Sequence, residues 1–455
     1  MGTPMTGNRT KLNAFHGKHM IVMYTKPADC GGRCLYCISS DQVTKSTSQN
    51  EDTLFAKSVG WSPVSQIQQR CSDSGIIMGS GNKFSFAIKG NSFTNYDKEY
   101  LENFIKSGYD TLNNFCSGTI EEAFRRQKNA PDRCVHITIE TRPDQITEEW
   151  CQLMAQWGIR TVEIGVPALD NETLARNRRG HTVEDVIRAA KLIRNHGFEL
   201  GYQVMLGLYG STKEKDFNLL TEDLWKEEHY PDLLKIYPCV VLPDETAQKP
   251  MYDLYRQGLW TPITNEAYEL FLKEALPHLP CDVHVNRLQR IFEEKEINLG
   301  PNKPINRTKY DNICKTMYTR SVQNTKYPIN GVFTNHKIVS SIHGNEITIQ
   351  AVLEDNTLLG YGRLSLPFGD TARLRDIRVL GDPVKIGDRN VERSGCQHIG
   401  IGREILDFAE NYARSHNKEK LSLHSSAGSV QYFLDNGFQA LNYHELIKYL
   451  KEIDQ

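Results

Sequence analysis

No stretch of about eighteen apolar residues occurs anywhere in this chain of 455, so no helix is expected to span a membrane. The first residues, up to His19, lack a long apolar core, and no secretory leader is expected. An even, regularly spaced set of cysteines is missing too. The eleven present are odd in number and scattered, which gives no disulfide framework and suits a reducing, cytoplasmic setting. Neither sign of charge is in excess: 54 Lys and Arg stand against 56 Asp and Glu, a net charge of −2. The overall basic character common in nucleic-acid enzymes is therefore absent. Only local patches remain for phosphate, such as Arg176-Asn177-Arg178-Arg179-Gly180-His181, and most such runs are solvated faces. What is present, 39% hydrophobic and 24% charged residues, describes an ordinary globular chain long enough for two or three cores.

The most informative stretch is Asp29-Cys30-Gly31-Gly32-Arg33-Cys34-Leu35-Tyr36-Cys37, directly after the apolar run Met20-Ile21-Val22-Met23-Tyr24. Three thiolates on one short loop can each hold one iron of a cubane cluster. The fourth iron stays open for a small chelating molecule to be reduced there. Tyr36 would shield such a cluster. Zinc is the competing reading, although a structural zinc site wants four ligands, usually as two separated pairs. The loop resembles the signature of the radical S-adenosylmethionine (SAM) enzymes, in which the methionyl amine and carboxylate chelate the open iron.

Downstream, β-rich runs alternate with helical ones. Strands are expected over 84–90, 134–140, 160–166, 200–206, 233–240 and 282–285. Helices are expected over 64–71, 98–107, 148–157, 183–196, 217–228 and 265–276, with 40–80 otherwise a long loop. This order implies a parallel sheet with right-handed crossovers, an α/β fold of the partial (β/α) barrel type. Chemistry in such barrels gathers at the strand C-termini. The polar residues expected there are Asn91, Ser92, Glu140, Arg142, Glu163, Gln203 and Lys235, each of which has a loop charge or helix cap as its competing reading.

Residues 298–329 change character to Lys, Arg, Asn and Pro with no apolar period, and enclose Cys314; they read as a connector. Beyond them a hairpin turns at Glu354-Asp355-Asn356, a strand follows over 372–380 and an amphipathic helix over 402–416. A strand over 421–424, a helix over 429–436 and a last apolar stretch over 441–449 complete an α+β domain that repeats nothing in the barrel. Gln397-His398-Ile399-Gly400-Ile401-Gly402 leads straight into that first helix. Glycines there let a phosphate approach backbone amides at a positive helix end. The spacing resembles the acyl-CoA pyrophosphate loop of GNAT acetyltransferases. Tyr432, on the later aromatic helix, is a candidate to reach the thioester sulfur, with a core or rim tyrosine as the alternative.

Taken together the chain resembles the catalytic subunit of Elongator and its single-chain prokaryotic relatives. The motifs that carry this are Ile139-Glu140-Thr141-Arg142-Pro143-Asp144, Val162-Glu163-Ile164-Gly165-Val166, Arg179-Gly180-His181-Thr182, Leu234-Lys235-Ile236-Tyr237-Pro238 and the Gln397–Gly402 loop. The resemblance implies a radical SAM barrel over 1–297, the connector over 298–329 and a GNAT-like domain over 330–455. It implies a [4Fe–4S] cluster on Cys30, Cys34 and Cys37, and SAM contacts from Gly90, Asn91, Ser92 and Glu140, with Ile164 and Gly165 at the adenine. It implies acetyl-CoA on Gln397, Ile399, Gly400, Ile401 and Gly402, with Lys235 meeting a carboxylate or acyl group and Tyr432 at the thioester. In the family the chemistry makes carboxymethyluridine at the tRNA wobble position. The partners implied are tRNA, an acyl-CoA and an electron donor for the cluster, and a homodimer is compatible with them. The run after the third cysteine, Ile38-Ser39-Ser40-Asp41, departs from the family's Gly-Gly-Pro-Asp, and the basic arm usual before the first cysteine is not seen in the residues before Cys30. The alternatives are the same chemistry on another nucleobase, a peptide or a metabolite, a noncatalytic relative that binds tRNA or CoA, and a plain acetyltransferase with the barrel as scaffold.

Overall fold

Strand β3, Lys83–Lys89, shows why a parallel sheet forms: Phe84, Phe86 and Ile88 are buried on one face. Alternating with them, Ser85, Ala87 and Lys89 point the other way, into the barrel. In the computed structural model this strand is one of eight in a single sheet of sequential order. The others are β1 (Ala14–Phe15), β2 (Lys18–Tyr24), β4 (Arg133–Thr141), β5 (Thr161–Gly165), β6 (Glu199–Leu206), β7 (Leu233–Pro238) and β8 (His284–Arg287). All neighbours from β2 to β8 pair in parallel, and β1 pairs antiparallel with β2. The structure describes residues 14–15, 18–37, 51–242, 245–280, 282–289, 297–303, 305, 335–381, 384–388 and 396–450. Cys314 and most of the expected connector lie outside these, as do Ser39, Asp41, Arg307, Lys309, Lys315 and Arg320.

The crossover helices are written locally. In Val183–Asn195, Thr182 and Asp185 form a reciprocal capping box. Val186, Ala189, Ala190 and Ile193 then make the buried stripe. Three expected elements are corrected. The helix expected over 217–228 is Lys213–Thr221, capped by Thr212 and followed by a 3₁₀ turn, Asp223–Trp225. That turn is held by the Trp225 indole N–H on the Leu220 carbonyl at 2.7 Å. The last strand begins at His284 rather than Asp282, whose carboxylate instead accepts from Tyr230 and Ser341. The helix expected over 64–71 is Pro63–Asp73, and a further helix, Glu51–Ser58, stands where loop was expected.

The second sheet has seven strands, β9 (His336–His343), β10 (Glu346–Leu353), β11 (Leu358–Ser365), β12 (Thr371–Val379), β13 (Lys420–His424), β14 (Gln439–Ala440) and β15 (Glu445–Tyr449). Their order is β14-β15-β13-β12-β11-β10-β9. The helix Ile401–Ser415 packs Ile401, Ile405, Leu406 and Ala409 on it. Parallel β12 and β13 pair only from Thr371 to Arg373, then part. Arg160, at the foot of β5, enters that fork and donates to the carbonyls of Arg375 and His424.

The two sheets meet where the barrel strands begin. Asp232, just before β7, takes Arg375 through both oxygens at 2.7 and 3.0 Å and Arg363 at 3.2 Å, all nearly fully buried. Glu199 pairs with Arg378 and accepts from the Tyr361 hydroxyl at 3.4 Å. This ion network leaves the opposite end of the barrel, the strand C-termini, open for chemistry. Among the described residues no helix is long and apolar enough to cross a membrane.

Candidate active site

Two sites lie at opposite ends of the barrel. At the mouth, the register aligns Glu140 with Glu163, and Gln203 with Lys235. The Lys235 ammonium sits 3.0 Å from Glu140 and hydrogen-bonds Glu163, which also accepts from Gln203 at 3.0 Å. Gly201 makes room for this arrangement, because a Cβ there would lie 2.8 Å from the Glu163 side chain. Lys89, the last residue of β3, pairs with Glu140 and lies 3.9 Å from Glu163. Burial works against the Lys235 charge, but Glu163 and Glu140 hold its pKa above the usual lysine value. Lys89 is pushed down, because burial and the Lys235 charge outweigh the same carboxylates. The expectation for Lys235 is thus refined: both carboxylates it meets belong to the chain. Lys89 was not among the expected site residues, although its place before Gly90 and its inward parity with Ser85 and Ala87 were readable.

The turn after β3 is tight. A Cβ at Gly90 would fall 2.6 Å from the Tyr96 hydroxyl and closer still to Thr25 Oγ1. Asn91 and Ser92 are buried. Ser92 Oγ joins Thr141 at 2.9 Å and Gln145, whose amide reaches the Cys30 carbonyl at 3.4 Å. The Asn91 side-chain oxygen is buried and has no hydrogen-bond partner, an acceptor left for a ligand. On β5, Glu163 faces inward, so its neighbour Ile164 turns outward into the fully buried core. At the mouth, Ile164 therefore presents backbone rather than side chain. Gly165 offers its carbonyl to Arg179 at 2.8 Å.

The cysteine loop is pinned from several sides. Leu35 N–H donates to Asn177 O at 3.1 Å, and Gln248 donates to Tyr36 O at 2.9 Å from the helix Glu245–Arg256. Cys30, Cys34 and Cys37 are in no disulfide among the described residues, Cys34 buried and the others half-buried. No three His, Cys, Asp or Glu side chains are gathered at metal-binding separations among the described residues. The fit to a cluster rests instead on the chemistry of the donors and their surroundings. The Arg179 guanidinium lies 3.6 Å from the Cys34 sulfur. Burial would raise the Cys34 pKa, but the charge and hydrogen bond of Arg179, with Arg142 beyond, bring it below the usual thiol value. Arg142 Nη1 is buried without a partner, and it lies 2.5 Å from where a Cβ on Gly32 would stand. Two guanidiniums at three thiols on one loop suit an anionic iron–sulfur group. Arg179, read from sequence as part of a surface patch, is in fact held inside by Cys34, Gly165 and His181. Arg176 is exposed but paired with Glu172 at 2.6 Å, while Arg178 is exposed with no ion-pair partner among the described residues.

The second site is a cavity of about 430 Å³ between the sheets, lined by Gln397, His398, Gly400, Ile401 and Gly402 of the glycine loop, by Tyr432 and Asp376, and by the barrel residues Lys18, Lys83 and His136. Ile399 packs instead against the second domain's core. Gly400 opens the helix Ile401–Ser415 with φ of 106°. A Cβ at Gly402 would stand 3.0 Å from the Tyr432 hydroxyl, so glycine leaves room for both. Burial raises the Tyr432 phenol to about 12, which keeps a proton on it at neutral pH. The cavity opens at Lys83 and the mouth at Lys89, the two ends of a strand of seven residues. At about 3.3 Å per residue the sites stand roughly 20 Å apart. Gly400→Glu is expected to weaken acetyl-CoA binding about tenfold or more while the iron content stays unchanged. The carboxylate would sit where a phosphate meets the helix end, and φ at this position favours glycine. Calorimetry with acetyl-CoA checks it.

This geometry is that of a radical SAM barrel joined to a GNAT domain, and comparisons with known proteins agree. Residues 26–220 match the Radical SAM superfamily, 231–319 the Radical_SAM C-terminal domain and 318–438 the Acetyltransferase (GNAT) family. The first implies a [4Fe–4S] cluster and SAM, the last acetyl-CoA. The chain is 27% identical over 94% of its length, and 84% of the relative's, to a protein of Methanocaldococcus jannaschii named tRNA uridine(34) acetyltransferase. To one so named from Dehalococcoides mccartyi it is 28% identical, over 92% of this chain and 95% of that one. To Elongator complex protein 3 of Homo sapiens it is 25% identical, over 93% and 82%. The fold matches the structure of Methanocaldococcus infernus Elp3 with an N-terminal deletion at a TM-score of 0.76 and 24% identity, covering 95% of this chain and 99% of that one. These matches bear out the resemblance to the Elongator catalytic subunit and its prokaryotic relatives.

Proposed function

We propose that this chain is a cytoplasmic radical SAM enzyme that uses acetyl-CoA to modify the wobble uridine of tRNA at C5, leaving a carboxymethyl group. The observation that carries the reading is end-to-end likeness to relatives named tRNA uridine(34) acetyltransferase, with both halves on one polypeptide. Cys30, Cys34 and Cys37 would hold the cluster, and the Arg179 guanidinium at the Cys34 sulfur favours its thiolate. When bound, the cluster and SAM supply one-electron reduction and hydrogen abstraction, with the electron coming from an external donor. Gly90 and Ser92 shape the turn that receives SAM, and the unpartnered oxygen of Asn91 accepts from it. Glu140 is paired with Lys89 and Lys235 and is placed to accept from the ribose or the methionine amine. The backbone of Ile164 and Gly165 flanks the adenine. At the other end, the amides from Ile399 to Gly402 and the brace of Gln397 would seat the pyrophosphate, and Tyr432 would give a proton to the CoA thiolate when water takes the acyl carbon as a carboxylate. Because the sites stand a strand's length apart, the acyl group must travel between them before reacting at the mouth. The division at 298–329 belongs to this reading; the two family matches that adjoin at 318–319 do so inside it.

With a net charge of −2, RNA must be held by local patches. Arg178 and Lys303 are exposed and suited to phosphate. Reversing both to Glu is expected to weaken tRNA binding and to flatten its salt slope by about one unit per lost contact. Titrations at several salt concentrations check this. The function itself is tested by mass spectrometry of tRNA nucleosides from cells with and without the protein. Loss of a C5-modified wobble uridine supports it, and an unchanged nucleoside profile rejects tRNA as substrate.

A further inference from the structure

We propose that Lys83, at the start of barrel strand β3, is a binding residue of the acyl-CoA site: its ammonium group pairs with the pyrophosphate, so that both halves of the chain grip one cofactor. The inference rests on the cavity being the acyl-CoA site, as read above.

Lys83 Nζ lies 2.7 Å from Gln397 Oε1 and 3.3 Å from His398 Nε2, both within the glycine loop. Gln397 is itself fixed, because its amide donates to the Val379 carbonyl at 2.8 Å. An ammonium group has three donors, so one remains to turn toward the cavity that Lys83 lines. The segment 384–388 ties the barrel and this loop together: Ile386 N–H donates to the Gly81 carbonyl at 2.9 Å, two residues before Lys83, and the Asp388 carbonyl lies 2.7 Å from His398 Nδ1 in the loop. His398 and Gly400 both have positive φ, 59° and 106°, and they bend the loop around the place the lysine reaches.

A second lysine points the same way. Lys18 lines the same cavity with only 8% of its surface exposed, and it has no hydrogen bond or ion pair among the described residues. Burial lowers Lys83 to about 8 and, with the Arg378 charge, Lys18 to about 7. Lys83 carries its charge at a desolvation cost that a bound pyrophosphate offsets, whereas Lys18 already has the Asp376 and Glu199 carboxylates in its surroundings. No carboxylate is paired with Lys83, whose protein partners are a neutral amide and an imidazole.

The test compares acetyl-CoA with acetyl-pantetheine, which carries the same thioester and no phosphate. Binding to the full-length protein is followed by calorimetry for the first and ligand-observed NMR for the second. Lys83→Gln is expected to weaken acetyl-CoA about tenfold, to leave acetyl-pantetheine unchanged, and to be largely rescued by Lys83→Arg. Equal losses for both ligands would make Lys83 a brace of the loop, and no loss for either would make it a bystander; each result overturns the proposal. Failure of the wild-type protein to bind acetyl-CoA would instead remove the reading of the cavity on which the proposal stands.

Discussion

Cys34→Ala is expected to lower the iron of anaerobically prepared protein from about four per chain to near none, and to abolish SAM cleavage with it. Cys34 is the buried member of the three, and it is the one whose thiol the Arg179 guanidinium touches. Losing it removes one of only three anchors and the sulfur that Arg179 touches. The fold should survive, since Cys34 lies on a loop rather than in either sheet. Far-UV circular dichroism separates a lost cluster from a lost fold. Cys116→Ala, at an exposed thiol away from the loop, is the control and should change neither iron nor SAM cleavage. A Cys34→Ala protein that keeps its iron and cleaves SAM would show that the cluster sits elsewhere.

The largest loss of stability is expected from Asp232→Ala. Its carboxylate holds Arg375 through both oxygens and Arg363 through one, between the two sheets and out of water. Removing one partner of a buried ion pair leaves the other charges uncompensated, at about 3–5 kcal/mol. Glu172→Ala, which breaks the exposed pair with Arg176, should cost about 0–1 kcal/mol. Urea denaturation of both variants against wild type checks the contrast. The pH dependence has a definite sign. Burial raises the Asp232 pKa, but Arg375 and Arg363 outweigh it and hold it well below its ordinary value of 3.8. A carboxylate depressed on folding contributes stability in full above its unfolded pKa and loses it as pH falls through the folded one. The gap between wild type and Asp232→Ala should therefore be constant near neutral pH and close only below about pH 4. Equal stability of the two proteins at neutral pH would mean that the sheets are held by something other than this network.

The alternation of strands and helices was readable because each parallel strand is an unbroken apolar run on its outer face, as in Phe84, Phe86 and Ile88. Two short helices were missed although both carried a signal: Thr119 caps Ile120–Arg126 and Asp170 caps Asn171–Arg176, each with acidic residues in the first turn. The polar residues at the strand ends were legible one by one. Their mutual pairing was not, since Lys89, Glu140, Glu163 and Lys235 come from four strands and meet only through the barrel's closure. Ile164 shows the limit of reading a motif without its parity: the neighbour of an inward Glu163 must face the core. Arg179 shows the same for charge, because a cation in a polar run looks solvated until the fold brings Cys34 to it. Lys83 and Arg160 gave no signal at all. Each lies on or beside a barrel strand, and its partners lie more than two hundred residues away in the second domain.

The central claim is that one chain carries acetyl carbon from CoA to a tRNA base. The most direct measurement reconstitutes the protein anaerobically with tRNA, SAM, a reductant and acetyl-CoA labelled in its methyl carbon, followed by mass spectrometry of the nucleosides. The account predicts labelled carbon on C5 of the wobble uridine, lost in both Cys34→Ala and Gly400→Glu. Label appearing on a lysine or a small amine instead, with SAM left intact, would make this a plain acetyltransferase built on a barrel scaffold and would contradict the account.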